Sequence, residues 1–307
     1  MDDPNKFDAN FCAAVSAIDV GDVSTLEHLL GKHPRLVRDR LDSPGAWLRD
    51  KVGNALEGFF QRPYLLWFVA EDPVRTGKLP RNIAEITQTI IDAARRDIVD
   101  TLQEQLDYAL RLVCWSWIAR ECGVQIELID TMIDAGATVD GQACYQNRFG
   151  SHCESAIYNG NLAAAEHLLN RGASLTLTTA LCLDRWGDVE RLASMATLKE
   201  QQDAFVQAAL RGNAEALRRM LALGIDPTTV SERNQSHGTA LHHAVWSGNL
   251  GAVKVLVESG ADVSRRDTIY NGTPLGWAEY CAQDRTDELR AKKYDEIAAY
   301  LRTKEGC

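Results

Sequence analysis

The segment from Gly238 to Val263, GTALHHAVWSGNLGAVKVLVESGADV, is matched without a gap by Gly150 to Leu175, GSHCESAIYNGNLAAAEHLLNRGASL. The copies share Ala244/Ala156, the Gly-Asn-Leu triplets at 248–250 and 160–162, Ala252/Ala164, Leu256/Leu168 and the Gly-Ala pairs at 260–261 and 172–173. A repeat this short cannot bury its own apolar face. Neighbouring copies must therefore stack, and stacked repeats usually bind rather than catalyse.

The pattern extends beyond these two copies. Gly212-Asn213 lies 36 residues before Gly248-Asn249, with Ala208, Ala216 and Gly224 opposite Ala244, Ala252 and Gly260. A shorter copy, TALCLDRWGDVERLASMA, carries Gly187-Asp188 at what reads as the same point, and AAVSAIDVGDVSTLEHLL carries Ala17, Gly21-Asp22, Leu26 and Leu29. Gly272-Thr273-Pro274-Leu275-Gly276-Trp277-Ala278 repeats Gly238 to Ala244 at an offset of 34 residues. Each unit reads as two short antiparallel helices and a loop. Thr239 or Thr273 caps the first helix, a left-handed Gly248 ends it, and Leu250, Val253, Leu256 and Val257 make the apolar stripe of the second. From Asp287 to Arg302, Leu289, Tyr294, Ile297, Ala298 and Leu301 stand among charged residues, the pattern of a polar-backed capping helix.

Gly238-Thr239-Ala240-Leu241-His242-x-Ala244 resembles the T-P-L-H-x-A core of ankyrin repeats, with Ala240 in place of proline, and Thr273-Pro274-Leu275-Gly276-Trp277-Ala278 keeps the proline and loses the histidine. The chain also resembles uncharacterised bacterial ankyrin proteins. The resemblance implies an all-α solenoid of about seven or eight stacked helix-turn-helix units forming one continuous array. Regular repeats and the capping helix are expected over 146–307, and degenerate repeats with insertions over 1–145. It also implies binding of an unidentified protein or peptide on the concave face, with no catalytic, cofactor or metal residues.

Composition agrees with a folded cytoplasmic protein, read here as a monomer. Thirty-three Lys plus Arg against forty-three Asp plus Glu give a net charge of −10, which opposes non-specific binding to nucleic acid or an anionic membrane. MDDPNKFDAN has no signal-peptide pattern, and no apolar run has the length of a membrane span. None of the eight cysteines (12, 114, 122, 144, 153, 182, 281 and 307) forms a C-x-x-C pair, so all are expected to be free thiols.

Catalytic patterns are absent: no G-x-S-x-G, P-loop or G-x-G-x-x-G occurs. His152-Cys153-Glu154 is similar to the H-x-E of zinc deaminases but lacks the P-C-x-x-C ligand pair, and reads as the opening turn of a helix. His242 stands at the family's histidine position, which implies a structural hydrogen-bonding role rather than metal ligation.

In an ankyrin array the residue two places before the helix-ending glycine faces the concave side. Here that row reads Asp19, Tyr158, Arg185, Leu210 and Trp246, with Tyr280 at the matching place in the last unit. Trp186, Arg211 and the loop residues Asn147, Arg148, Phe149, Tyr270 and Asn271 join the same face. Aromatic residues and Arg concentrate binding energy, so Tyr158, Arg185, Trp186, Leu210, Arg211, Trp246, Tyr270 and Tyr280 are the expected partner-binding set. The competing expectation is that Tyr158, Trp246 and Tyr280 pack on the next repeat. Two further alternatives are an enzyme or ligand pocket in residues 45–145, beside Trp47, Trp67, Trp115 and Trp117, and an inhibitory or structural subunit that masks a partner.

Overall fold

The computed structural model describes residues 4–141, 150–231, 237–284 and 286–304. Among these residues the secondary structure is helical, apart from one isolated bridge between Val230 and Thr239. The chain forms two compact units, residues 1–174 and 175–307.

The first unit opens with α1 (Pro4–Val20) and α2 (Val23–Lys32). An irregular stretch follows, holding α3 (Arg35–Arg38), α4 (Ala46–Val52) and a short 3-10 turn at Gly53–Glu57. In the next pair the first helix is reduced to the 3-10 segment Leu65–Ala70, packed beside α5 (Ile83–Arg96). Then come α6 (Leu102–Trp115) and α7 (Trp117–Glu121) with α8 (Gln125–Asp134), and α9 (His152–Tyr158) with α10 (Leu162–Asn170). First elements pack in the order α1, Leu65–Ala70, α6, α9, and second helices in the order α2, α5, α8, α10.

The second unit repeats this scheme more regularly. Its pairs are α11 (Leu177–Cys182) with α12 (Trp186–Met195), α13 (Leu198–Leu210) with α14 (Ala214–Ala222), α15 (Ala240–Trp246) with α16 (Leu250–Glu258), and α17 (Pro274–Ala282) with α18 (Glu288–Arg302). First helices α11, α13, α15 and α17 form one layer, and α14, α16 and α18 pack in sequence in the other. Ala156, Ala180, Ala208, Ala244 and Ala278 are fully buried at equivalent places, where a larger side chain would hold the layers apart.

Local chemistry explains the regularity. Ser151, Thr176, Thr197 and Thr273 each accept, through the side-chain oxygen, the backbone N–H three residues on, capping a first helix. Gly21, Gly160, Gly212 and Gly248 are left-handed, with φ of 74°, 76°, 65° and 70°. The residue after the glycine starts the second helix: the side chains of Asp22, Asn213 and Asn249 each accept the N–H three residues on, at 3.0 Å. Asparagine also ties neighbouring pairs together. Asn161 Nδ2 donates to the Cys114 carbonyl (2.8 Å), and Asn213 Nδ2 to the Leu181 carbonyl (3.3 Å).

Two expectations require correction. Gly187 lies inside α12, and the left-handed residue of that pair is Asp184 (φ 55°). The bond from Arg185 N–H to the Ala180 carbonyl matches that from Asn213 N–H to Ala208, so the repeat register sits three residues earlier than the glycine suggests. Leu289 of α18 is 69% exposed, and Ala291 joins Tyr294, Ile297, Ala298 and Leu301 on the buried face.

Candidate functional site

Three of the expected partner-binding residues meet in the second unit. Trp246 closes α15, Tyr280 lies on α17, and Tyr270 stands on the loop between α16 and α17. They are 46%, 70% and 75% exposed, unusual for large rings. With His237, Trp277 and Cys281 they line a concavity of about 520 Å³.

The walls are fixed from beneath. The Trp246 ring stands at 78° to Trp277, centroids 6.2 Å apart, and the His237 ring lies 5.6 Å from Trp277 and 5.9 Å from Tyr270. Tyr294, buried on α18, donates its hydroxyl to the Trp246 carbonyl at 2.8 Å and so anchors the end of α15. Burial pushes both the Tyr294 hydroxyl and the Cys281 thiol upward, leaving both neutral at physiological pH.

Asp267 organises the loop that carries Tyr270. Its carboxylate accepts the backbone N–H groups of Ile269 (2.9 Å), Tyr270 (2.6 Å) and Gly272 (2.9 Å) and the Trp277 indole N–H (3.0 Å). Burial alone would raise its pKa, but hydrogen bonds from Tyr270, Trp277, Gly272 and Ile269 bring it down to about 2. A Cβ at 272 would crowd the Trp277 ring at 3.0 Å and Asp267 Oδ2 at 3.1 Å, so any larger residue requires these side chains to give by a few tenths of an ångström.

His242 secures the same loop from the other side. Its Nδ1 accepts the Thr239 backbone N–H at 3.2 Å, so Nε2 carries the proton and donates to the Gly272 carbonyl at 3.2 Å. Burial lowers its pKa, in keeping with this neutral tautomer. Gly276 occupies the equivalent place in the next pair. It lines the concavity, and a Cβ there would meet only Thr273 Oγ1, at 3.6 Å.

The remaining expected residues lie elsewhere. Leu210 is half-buried at the end of α13, and Arg211, its C-cap, is exposed. Arg185 is the N-cap of α12, and Trp186 packs at the start of that helix beneath the Arg219 guanidinium, 4.7 Å from its ring. In the first unit Tyr158 stacks on Trp115 at 5.3 Å and 17°, and Asp19 pairs with Arg75 at 2.8 Å. Asn147, Arg148, Phe149, Cys144 and Cys307 lie outside the described residues. His237, Trp277, Cys281, Gly272 and Gly276 were missing from the expected set. The one available signal was glycine at the family's histidine position, followed directly by tryptophan.

In the first unit, the tryptophans of residues 45–145 are mostly engaged in packing. The Trp47 indole donates to Asp8 at 2.9 Å, and Trp67 is buried with its ring 4.2 Å from Tyr108. The loop after Leu65–Ala70 is built on a buried ion cluster: Arg75 bonds Glu71 and Asp19 at 2.8 Å each, and Glu71 caps the backbone of Arg75 and Gly77. Burial pushes Asp72 up to about 7, Arg111 opposing and Glu71 reinforcing. His152 opens α9 with Ser151 as its N-cap, and burial pushes it down to about 4. The six described cysteines (12, 114, 122, 153, 182 and 281) are unbridged. Among the described residues no group of three or more His, Cys, Asp or Glu side chains is arranged to hold a metal, and no helix is long and apolar enough to cross a membrane.

Comparison with known proteins accords with this geometry. Residues 155–267 match the ankyrin-repeat family model in three copies. An ankyrin repeat protein of Pyrobaculum aerophilum is 40% identical over 84 residues, 27% of this chain and 30% of that protein. A potassium channel of Arabidopsis thaliana is 35% identical over 97 residues, 31% of this chain and 11% of the channel. The chain thus spans less than a third of either curated relative. Among solved structures, the human ASB11 ankyrin repeat domain (17% identity, 69% of this chain and 90% of that one) has a TM-score of 0.36. An ankyrin repeat domain from Acinetobacter baumannii (24% identity, 64% and 97%) has a TM-score of 0.32. The family model and the recurring cap, left-handed turn and buried alanine agree, and residues 155–267 are ankyrin repeats.

Proposed function

We propose that the protein is a non-catalytic recognition module, and that the aromatic concavity between α15 and α17 receives a segment of a protein partner. Ankyrin repeats are generally protein–protein interaction modules, which supports the class of function. The observation that carries the location is the gathering of half- to largely exposed Trp246, Tyr270 and Tyr280 around one cavity that Gly276 also lines. Large rings left in water lose the stabilisation of burial, about 1.5–3 kcal/mol for a large apolar side chain, and aromatic anchors in pockets dominate interfaces.

The reading is tested by filling the cavity without altering its aromatic walls. A displayed library of randomised peptides is selected on the immobilised full chain, and enriched peptides are titrated against Gly276→Leu. Position 276 is helical and a Cβ there meets only Thr273 Oγ, at 3.6 Å, so the variant should fold. Loss of binding at an unchanged melting temperature supports the site. Equal binding to both proteins rules it out.

A further inference from the structure

We propose, resting on the recognition reading above, that the concavity selects an arginine side chain of the partner segment. The walls are built mainly of aromatic rings: Trp246 and Trp277 form a near-perpendicular corner, with His237 and the exposed Tyr270 beside it. Ring faces carry negative potential and attract cations, arginine more often than lysine. Among the described residues that line the cavity there is no lysine or arginine, and the one basic side chain is His237.

A fixed negative charge stands directly behind this corner. Asp267 is 3% exposed, and among the described residues the donors to its carboxylate are all neutral: three backbone N–H groups and the Trp277 indole. Its charge is held in place, and among the described residues no cation pairs with it. An indole that donates its N–H to a carboxylate gains electron density in the ring, so the π-system of Trp277, which lines the cavity, is made more negative. The carboxylate is fully ionised at neutral pH, which keeps this polarisation constant there.

Guanidinium is the cation best matched to such a wall. It is planar, more weakly hydrated than an ammonium, and stacks on aromatic faces, so it loses less on leaving water for a cavity that offers few hydrogen-bond acceptors. The chain already uses the same contact internally, with Arg219 over Trp186 at 4.7 Å and Arg40 over Tyr64 at 4.2 Å. A cavity of about 520 Å³ also admits the whole side chain with its methylene stem.

Arginine and citrulline have nearly the same shape and differ in charge, which makes them the deciding pair. Short glycine-serine peptides carrying one arginine, one citrulline, one lysine or one trimethyllysine are titrated against the full chain by tryptophan fluorescence. The expected result is arginine over citrulline by about 10-fold, arginine over lysine, and a preference that shrinks with added salt. In Trp246→Leu, which keeps an apolar wall and loses a ring face, arginine and citrulline should bind alike. Asp267→Asn should reduce the arginine preference, with circular dichroism checking its loop. Citrulline binding as well as arginine, trimethyllysine binding better than arginine, or none of the four binding overturns the proposal. Library-selected peptides that still bind wild type but not Gly276→Leu would then show that the cavity is a recognition site for another side chain.

Discussion

The two units solve the same stacking problem with different chemistry. In the second, α13 and α15 end at the left-handed Gly212 and Gly248, and Trp246, Tyr270 and Tyr280 remain exposed around a cavity. In the first, the second pair replaces its first helix with the 3-10 segment Leu65–Ala70 and holds the following loop through the buried Glu71–Arg75–Asp19 cluster. Its rings are mostly consumed in packing, Trp67 on Tyr108 and Trp115 on Tyr158. Tyr158 is covered by the near-parallel Trp115 ring, whereas Trp246 meets Trp277 near-perpendicular and stays half-exposed.

The largest effect should come from breaking the ion cluster on which the first unit depends. Arg75→Met leaves Glu71 and Asp19 without their cation, and Glu71 is fully buried, so a loss of about 3–5 kcal/mol is expected in urea denaturation. A loss below about 1 kcal/mol would mean that the loop holds itself without the ions.

Protonation offers a second, pH-dependent break in the same unit. His152 is pushed down to about 4 in the folded protein, against about 6.5 in an unfolded chain. The unfolded state therefore binds more protons between these values, and the His152 contribution falls by up to about 3 kcal/mol as pH drops through that window. Asp72, pushed up to about 7, acts with opposite sign: its folded form takes up a proton before the unfolded one, which favours folding as pH falls from about 7 to about 4. His152→Leu should therefore make the protein relatively more stable in acid, and Asp72→Asn relatively less. Parallel tilts in the two pH profiles would contradict these environments.

The regular turns of the second unit can be ranked against each other. At Gly212 a Cβ would lie 2.7 Å from Asn249 Cβ and 2.8 Å from Ser247 Oγ, whereas at Gly248 it would only touch the Tyr294 ring at 3.6 Å. Both are left-handed, so Gly248→Ala should cost about 1 kcal/mol and Gly212→Ala about 2 kcal/mol or more. Equal melting temperatures would show that the turn absorbs the added carbon. The smallest effect is a gain: Gly276→Ala, mid-helix with ordinary φ, should stabilise by up to about 1 kcal/mol in a thermal melt.

Much of this fold was legible because glycine, asparagine and threonine announce where short helices start and stop. The reading failed where another residue takes the glycine's conformation. Asp184, Ile98 and Glu71 adopt positive φ without any sequence mark, and Gly187 misdirected the register of α12 for that reason. Aspartate tolerates this region, and Asp184 Oδ1 is held by Asn213 Nδ2 at 2.9 Å, a contact between pairs that no local pattern reveals. The site was legible in part. Trp246 and Tyr280 follow from repeat position and Tyr270 from its loop, but Trp277 and His237 join them only because Asp267 and His242 fold the intervening loop back, which depends on three-dimensional contacts.

The most direct test of the central claim is a paired binding and melting measurement on the full chain with Trp246, Tyr270 and Tyr280 all changed to alanine. Because these rings are half- to largely exposed, the variant should keep its circular dichroism spectrum and melt within a few degrees of the wild type, while library-selected peptides lose most of their affinity. Intact peptide binding with a clearly lowered melting temperature would contradict the account, identifying the three rings as packing and placing recognition on another surface.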